Sequence, residues 1–172
     1  VLEDIGADAV KIGMLSSPAI VRAVAARLRA HKVKTIVLDP VMYAKSGHSL
    51  LEPRAVGALI KELLPLALVV TPNAPEAERL SGVKVKDAAG ARRAARAIRA
   101  LGPACVLVKG GHLDGPVCED LFFDGRTFTV FRSPRIATKN THGTGCTLSA
   151  ALAAGLALGM EPREAAAEAV KY

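Results

Sequence analysis

A chain of 172 residues with 51% hydrophobic and 23% charged side chains carries enough apolar mass for one domain with a real core and too much for a disordered chain. The most apolar stretch, 148–160, is broken by Gly155 and Gly159, so no segment reads as a membrane span, and no basic-then-apolar leader is evident. Three cysteines without paired spacing argue against a disulfide framework and for a reducing, cytoplasmic setting. The net charge of +7 gathers in 84–99, at Lys84, Lys86, Arg92, Arg93, Arg96 and Arg99. No aromatic residue interleaves with these, which favours a solvated helix face over nucleic-acid binding, and a basic surface suits an acidic substrate such as a nucleotide.

In chain order, Ala9-Val10-Lys11-Ile12-Gly13 reads as a short strand. Ser17-Pro18 supplies a cap and a first-turn proline for a helix to about His31. Thr35-Ile36-Val37-Leu38-Asp39, closed by Pro40, is apolar on both faces, as a buried parallel strand requires. Glu52-Pro53 opens a helix through about Leu64, and the next buried strand covers 66–71, again ended by proline. A short helix is expected at 75–80 and a longer one over 87–101, followed by the strand Cys105-Val106-Leu107-Val108-Lys109 and then Gly110-Gly111. The runs 117–123 and 127–131 flank Asp124-Gly125, a strong hairpin signal. A glycine-rich loop and two closing helices complete the chain. The two ends, Val1-Leu2-Glu3-Asp4-Ile5 without a helix start and 162–172 without a stop, suggest a fragment of a longer protein.

Alternation of apolar strands with helices predicts an α/β fold, a mainly parallel sheet with helices on both faces. Ligands of such sheets bind beyond the carboxyl ends of the strands. Asp39, Asn73, Glu76 and Lys109 fall at those ends, together with the loop Asn140-Thr141-His142-Gly143-Thr144-Gly145-Cys146. Gly143 and Gly145 let the backbone turn tightly and approach a ligand, and the helix that starts there offers free N–H groups to an anion. Cys146 in its first turn sits where a helix N-terminus favours the thiolate. The plainer reading is a glycine turn before a packed helix, with Cys146 as a small hydrophobe. No Walker A pattern and no Gly-x-Gly-x-x-Gly after a strand is present, which sets aside ordinary P-loop and dinucleotide chemistry. No zinc spacing joins His112 or His142, and Cys105 and Cys118, in expected strands, read as structural.

Five blocks occur in order: Asp39-Pro40-Val41-Met42 with Ala44-Lys45-Ser46-Gly47, Thr71-Pro72-Asn73-Ala74-Pro75-Glu76, Val108-Lys109-Gly110-Gly111-His112, and the loop ending at Cys146, preceded by Lys11-Ile12-Gly13-Met14-Leu15. In this the chain resembles, over essentially its whole length, the hydroxymethylpyrimidine kinase / phosphomethylpyrimidine kinase family of thiamine biosynthesis, within the ribokinase-like superfamily. The resemblance implies an ATP-dependent, magnesium-dependent kinase. Its substrates would be 4-amino-5-hydroxymethyl-2-methylpyrimidine and the corresponding monophosphate. It implies that Cys146 is the general base and that the N–H groups of Gly143, Thr144, Gly145 and Cys146 hold the transferring phosphoryl oxygens. Lys109, Asn73 and Thr141 would contact nucleotide phosphates, Met14 and Val41 the pyrimidine, and Asp39 and Glu76 magnesium, directly or through water. The family suggests a cytoplasmic homodimer, and also residues on both sides of this segment that complete the pocket. A pyridoxal kinase is the nearest alternative. A non-catalytic nucleotide-binding or interaction fragment is the alternative from another class.

Overall fold

The computed structural model describes residues 2–43, 50–112, 117–136 and 143–172. Six strands form one sheet in the order β1 Val10–Ile12, β2 Ile36–Leu38, β3 Val69–Val70, β4 Cys105–Val108, β5 Val117–Phe123 and β6 Phe128–Pro134. The first four are parallel, and the β5–β6 hairpin adds to β4 antiparallel. The expected α/β class and the helices on both faces are present.

Each helix starts for a local reason. The Ser17 hydroxyl accepts from the Ile20 N–H at 3.4 Å and Pro18 opens α1, Pro18–Ala30, which turns Val21, Ala25 and Leu28 to the sheet at helical spacing. The segment begun by Pro53 is α-helical only over α2, Pro53–Ala58, and continues as a π turn, Leu59–Leu63, and a 3-10 turn, Leu64–Leu66. Pro65 explains the change, because it has no N–H for the α ladder and its ring crowds the preceding carbonyl. This also corrects the strand expected over 66–71, which is confined to Val69–Val70. Asp87 caps α4, Ala88–Arg99, by accepting from Gly90 N at 2.6 Å. β6 runs three residues past its expected end, reaching Pro134 opposite Val117, a position at the sheet edge where a missing N–H costs little.

Parallel strands that follow one another in sequence, linked by right-handed crossovers, keep their connections on one face. Accordingly α1, α2, α3 (Ala74–Ser81) and α4 share a core with Ile36, Leu38, Val70, Val106 and Phe123. The alternate side chains Val37, Val69, Cys105, Leu107 and Phe122 point the other way, onto α5, Thr144–Ala157, and α6, Pro162–Lys171. Period two within a strand thus fills two cores. Each fully buried Leu or Phe in them contributes about 1.5–3 kcal/mol. Gly155 lets α5 and α6 close up: a Cβ there would lie 3.1 Å from the Ala165 methyl.

The basic stretch is not simply a solvated face. The Arg92 and Arg96 guanidinium groups lie 4.8 and 4.9 Å from the centre of the Phe128 ring, and Phe128 stacks on Phe123 at 4.3 Å. The aromatic partner comes from β6 rather than from the basic segment itself, and these arginines tie α4 to the hairpin. Leu2–Ile5 forms hydrogen-bonded turns before β1. No described helix is long and apolar enough to cross a membrane.

Candidate active site

The strand ends converge as the pattern of apolar runs and prolines predicts. Asp39 follows β2, its N–H bonded to Ile12 O at 2.8 Å, and Lys109 follows β4, its N–H bonded to Pro72 O at 2.8 Å. Asp39 is completely buried. Its Oδ1 accepts from Lys109 Nζ at 2.8 Å and from Thr71 Oγ1 at 3.2 Å. Its Oδ2 accepts from Ser149 Oγ at 3.2 Å. Buried charge is tolerable only when paired and hydrogen-bonded, and here three donors share one carboxylate.

Asn73 and Glu76 form a reciprocal cap on α3. Asn73 Oδ1 accepts from Glu76 N at 2.9 Å, and Glu76 Oε2 accepts from Asn73 N at 2.8 Å. This is the Asn-x-x-Glu capping box, so the spacing that suggested phosphate or metal contact also serves the helix start. The cap takes up the Asn73 oxygen and leaves its amide N–H₂ for any ligand. Glu76 Oε1 has a long 3.4 Å bond from Met42 N. Burial pushes the Glu76 carboxyl above its ordinary 4.5, the Lys109 ammonium opposes this, and the nearby Asp39 adds to the rise. Two carboxylates thus face one corner, one of them with an oxygen weakly held. A divalent cation that keeps its waters and takes one or two carboxylates fits this donor set. No cage of three ligating side chains occurs among the described residues.

The opposite wall is α5. Gly143 adopts φ +83°, a left-handed turn that a side chain would strain, and provides no side-chain cap. The first helical bond runs from Thr147 N to Gly143 O at 2.9 Å, so the N–H groups of Gly145 and Cys146 have no acceptor within the helix. Cys146 is exposed, not packed. A Cβ on Gly145 would lie 3.0 Å from Lys109 Nζ, so the ammonium rests on this first turn. Helix N-terminus and ammonium are both positive, and an anion between them is served by both.

Met14 is 51% exposed just beyond β1, and Val41, half-buried, lies just beyond β2 with its N–H on Asp39 O at 2.8 Å. Both occupy the carboxyl edge. Thr141, His142 and the Ala44-Lys45-Ser46-Gly47 block lie outside the described residues, and His112 ends a 3-10 turn, Gly110–His112. Cys105 is buried, which pushes its thiol up to about 11, and Cys118 is half-buried on β5.

Two residues escaped the sequence reading. Ser149 looks like neutral filler in an Ala/Leu helix. Asp120 is a buried acid inside an apolar strand, which is itself a signal. Its Oδ1 accepts from Gly110 N at 2.7 Å, and Gly110 packs so closely on the Glu119 carbonyl that no Cβ fits. Asp120 therefore helps fix the turn directly after Lys109. Burial raises its carboxyl from the ordinary 3.8, against the pull of the Gly110 N–H and Lys109. A raised folded value means stability present below 3.8 that is lost as pH rises through the folded value. Asp120→Asn keeps the acceptor oxygen and cannot ionise. Its melting temperature relative to the parent should therefore climb as pH is raised from 3.8 toward neutrality. A difference that stays flat with pH would remove this assignment.

Sheet, strand-end carboxylates, lysine and open helix start define an α/β protein with an anion-receptive corner at the carboxyl edge of its parallel strands. The family model for phosphomethylpyrimidine kinase matches residues 1–172, and the chain belongs to that family. It is 53% identical over 173 residues to a hydroxymethylpyrimidine/phosphomethylpyrimidine kinase of Rhizobium meliloti, covering 100% of this chain and 65% of that protein. Among solved structures, phosphomethylpyrimidine kinase from Clostridium difficile superposes with a TM-score of 0.86 at 44% identity, over 98% of this chain and 68% of the other. An ADP complex of Bacillus subtilis pyridoxal kinase superposes with a TM-score of 0.93 at 40% identity, over 100% and 65%. The fold is ribokinase-like. The chain spans 35% of one curated relative and 65% of another.

Proposed function

We infer that this chain carries the phosphoryl-transfer centre of a kinase acting on 4-amino-5-hydroxymethyl-2-methylpyrimidine and then on its monophosphate, with ATP as donor. One observation carries the reading: the Lys109 ammonium lies against the first turn of α5 at Gly145, so a cation and the backbone N–H groups of a helix start converge on one point. Phosphoryl transfer demands positioning and charge neutralisation rather than covalent chemistry, and this corner offers both.

In the proposed reaction the substrate hydroxyl gives its proton to the Cys146 sulfur as its oxygen bonds to the γ-phosphorus, and the bond from that phosphorus to the ADP oxygen breaks. The N–H groups of Gly143, Thr144, Gly145 and Cys146 hold the transferring oxygens. Lys109 neutralises the phosphates, with the Asn73 amide and the Thr141 hydroxyl beside them. Met14 and Val41 flank the pyrimidine. Asp39 and Glu76 would hold magnesium, Glu76 through its weakly bonded oxygen and Asp39, whose oxygens already have protein donors, through water. Bound there, magnesium supplies further neutralisation of phosphate charge. A cytoplasmic homodimer is the setting that the family resemblance supplies.

Pyridoxal phosphorylation is the second reading, favoured by the TM-score of 0.93 to a pyridoxal kinase. The deciding experiment is a kinase assay of the intact protein with both substrates side by side. The expected result is kcat/KM at least about tenfold higher for the pyrimidine, about 1.4 kcal/mol of discrimination. Glu76→Gln is expected to raise the magnesium needed for half-maximal rate. Preference for pyridoxal would establish the second reading, and turnover of neither would reject both.

A further inference from the structure

Ser149 is completely buried on the face of α5 that packs against the sheet, with Leu152, Ala153 and Leu156 further along the helix. Nothing local calls for a hydroxyl there. Alanine is the better helix former, and an unpartnered hydroxyl among apolar groups is costly. Its oxygen stands 3.0 Å from the carbonyl of Cys146 and 3.2 Å from Asp39 Oδ2. One proton serves one acceptor at a time. The Cys146 carbonyl already receives a helical N–H by its place in α5, whereas Asp39 is an ionised, buried acceptor, for which a charge-assisted bond is about twice as strong as a neutral one.

We propose that Ser149 is a positioning residue: by donating to Asp39 Oδ2 it locks the first turn of α5 at a fixed height over the strand ends, and thereby places Cys146 and the neighbouring N–H donors for reaction. The proposal rests on the reading of this corner as a phosphoryl-transfer centre. Asp39 is the shared anchor. Its other oxygen holds Lys109 at 2.8 Å, and Lys109 in turn lies against Gly145. The first turn of α5 is therefore pinned twice, at Gly145 from β4 through Lys109 and one turn on from β2 through Ser149. Gly143, with no side chain, contributes no pin of its own. Loss of one pin lets the turn shift, and a displacement of about 1 Å can cost a hundredfold in rate.

The test uses the intact protein with Ser149→Ala, Asp39→Asn and the double variant, read by amide hydrogen exchange of residues 147–150 and by steady-state kinetics. Ser149→Ala is expected to speed exchange about tenfold or more and to lower kcat about tenfold to hundredfold, with KM for the pyrimidine within about threefold. In the Asp39→Asn background the same change should add less than about twofold to either, because the partner is already altered. Independent, multiplicative effects would overturn the proposal, as would unchanged exchange in Ser149→Ala. Should Ser149→Ala fold poorly, Ser149→Cys, which keeps the size and only a weak donor, takes its place. If the parent protein phosphorylates neither substrate, that failure belongs to the kinase reading, and the exchange cycle still decides the role of Ser149.

Discussion

Lys109→Met should cost about 3–5 kcal/mol of folding stability and bring turnover close to background. The methionine fills much of the space of the lysine stem but leaves Asp39, at 0% exposure, without its ammonium at 2.8 Å. Removing one partner of a buried pair is far more damaging than replacing both, since the survivor keeps its charge and loses its compensation. Thr71 and Ser149 still donate to Asp39, which places the expected loss toward the lower end. Asp39→Asn in the Lys109→Met background removes the stranded charge, so most of the stability should return while the activity does not. Urea titrations of the parent and of these two variants, with kcat/KM for the pyrimidine, separate the two roles. A loss below about 1 kcal/mol in Lys109→Met, typical of an exposed pair, would show that the pair does not hold the strand ends together.

The elements that position the site could be read in advance because their signals are local. Apolar runs ended by Pro40 and Pro72 mark strand ends, and glycines at 143 and 145 mark a helix start. Residues placed at those boundaries, Asp39 and Lys109, meet because parallel strands in sequential order bring their carboxyl ends to one edge. What escaped depends on partners distant in sequence. Ser149 acquires a role only when α5 folds back over β2, 110 residues from Asp39. Arg92 and Arg96 find Phe128 on another element. The Asn73–Glu76 spacing carried two meanings, a helix cap and a ligand corner, and spacing alone does not separate them. The overlong strand at 66–71 reflects a run in which burial, not pairing, explains the apolar residues: Leu66 ends a 3-10 turn, and Ala67 is buried just outside the strand.

Cys146→Ala should lower kcat of the intact protein about 10²–10⁴-fold while leaving nucleotide affinity nearly unchanged, the range expected for loss of a positioned general base. The asymmetry follows from which atoms do what. The N–H of residue 146, one of the donors at the open start of α5, is backbone and survives the substitution. The Ser149 hydroxyl, 3.2 Å from Asp39 Oδ2, is also untouched, so the helix start keeps its place. Only the thiol is lost, and it is exposed, free to meet a substrate hydroxyl. A thiol-directed reagent gives an independent measure. Cys105 is buried with its thiol pushed up to about 11 and should react slowly, so Cys146 should be modified first and Mg·ATP with the pyrimidine should protect it. Single-turnover rates with saturating ATP then isolate the chemical step. Turnover near that of the parent in Cys146→Ala would remove the cysteine from proton transfer and leave α5 as a phosphate cradle alone.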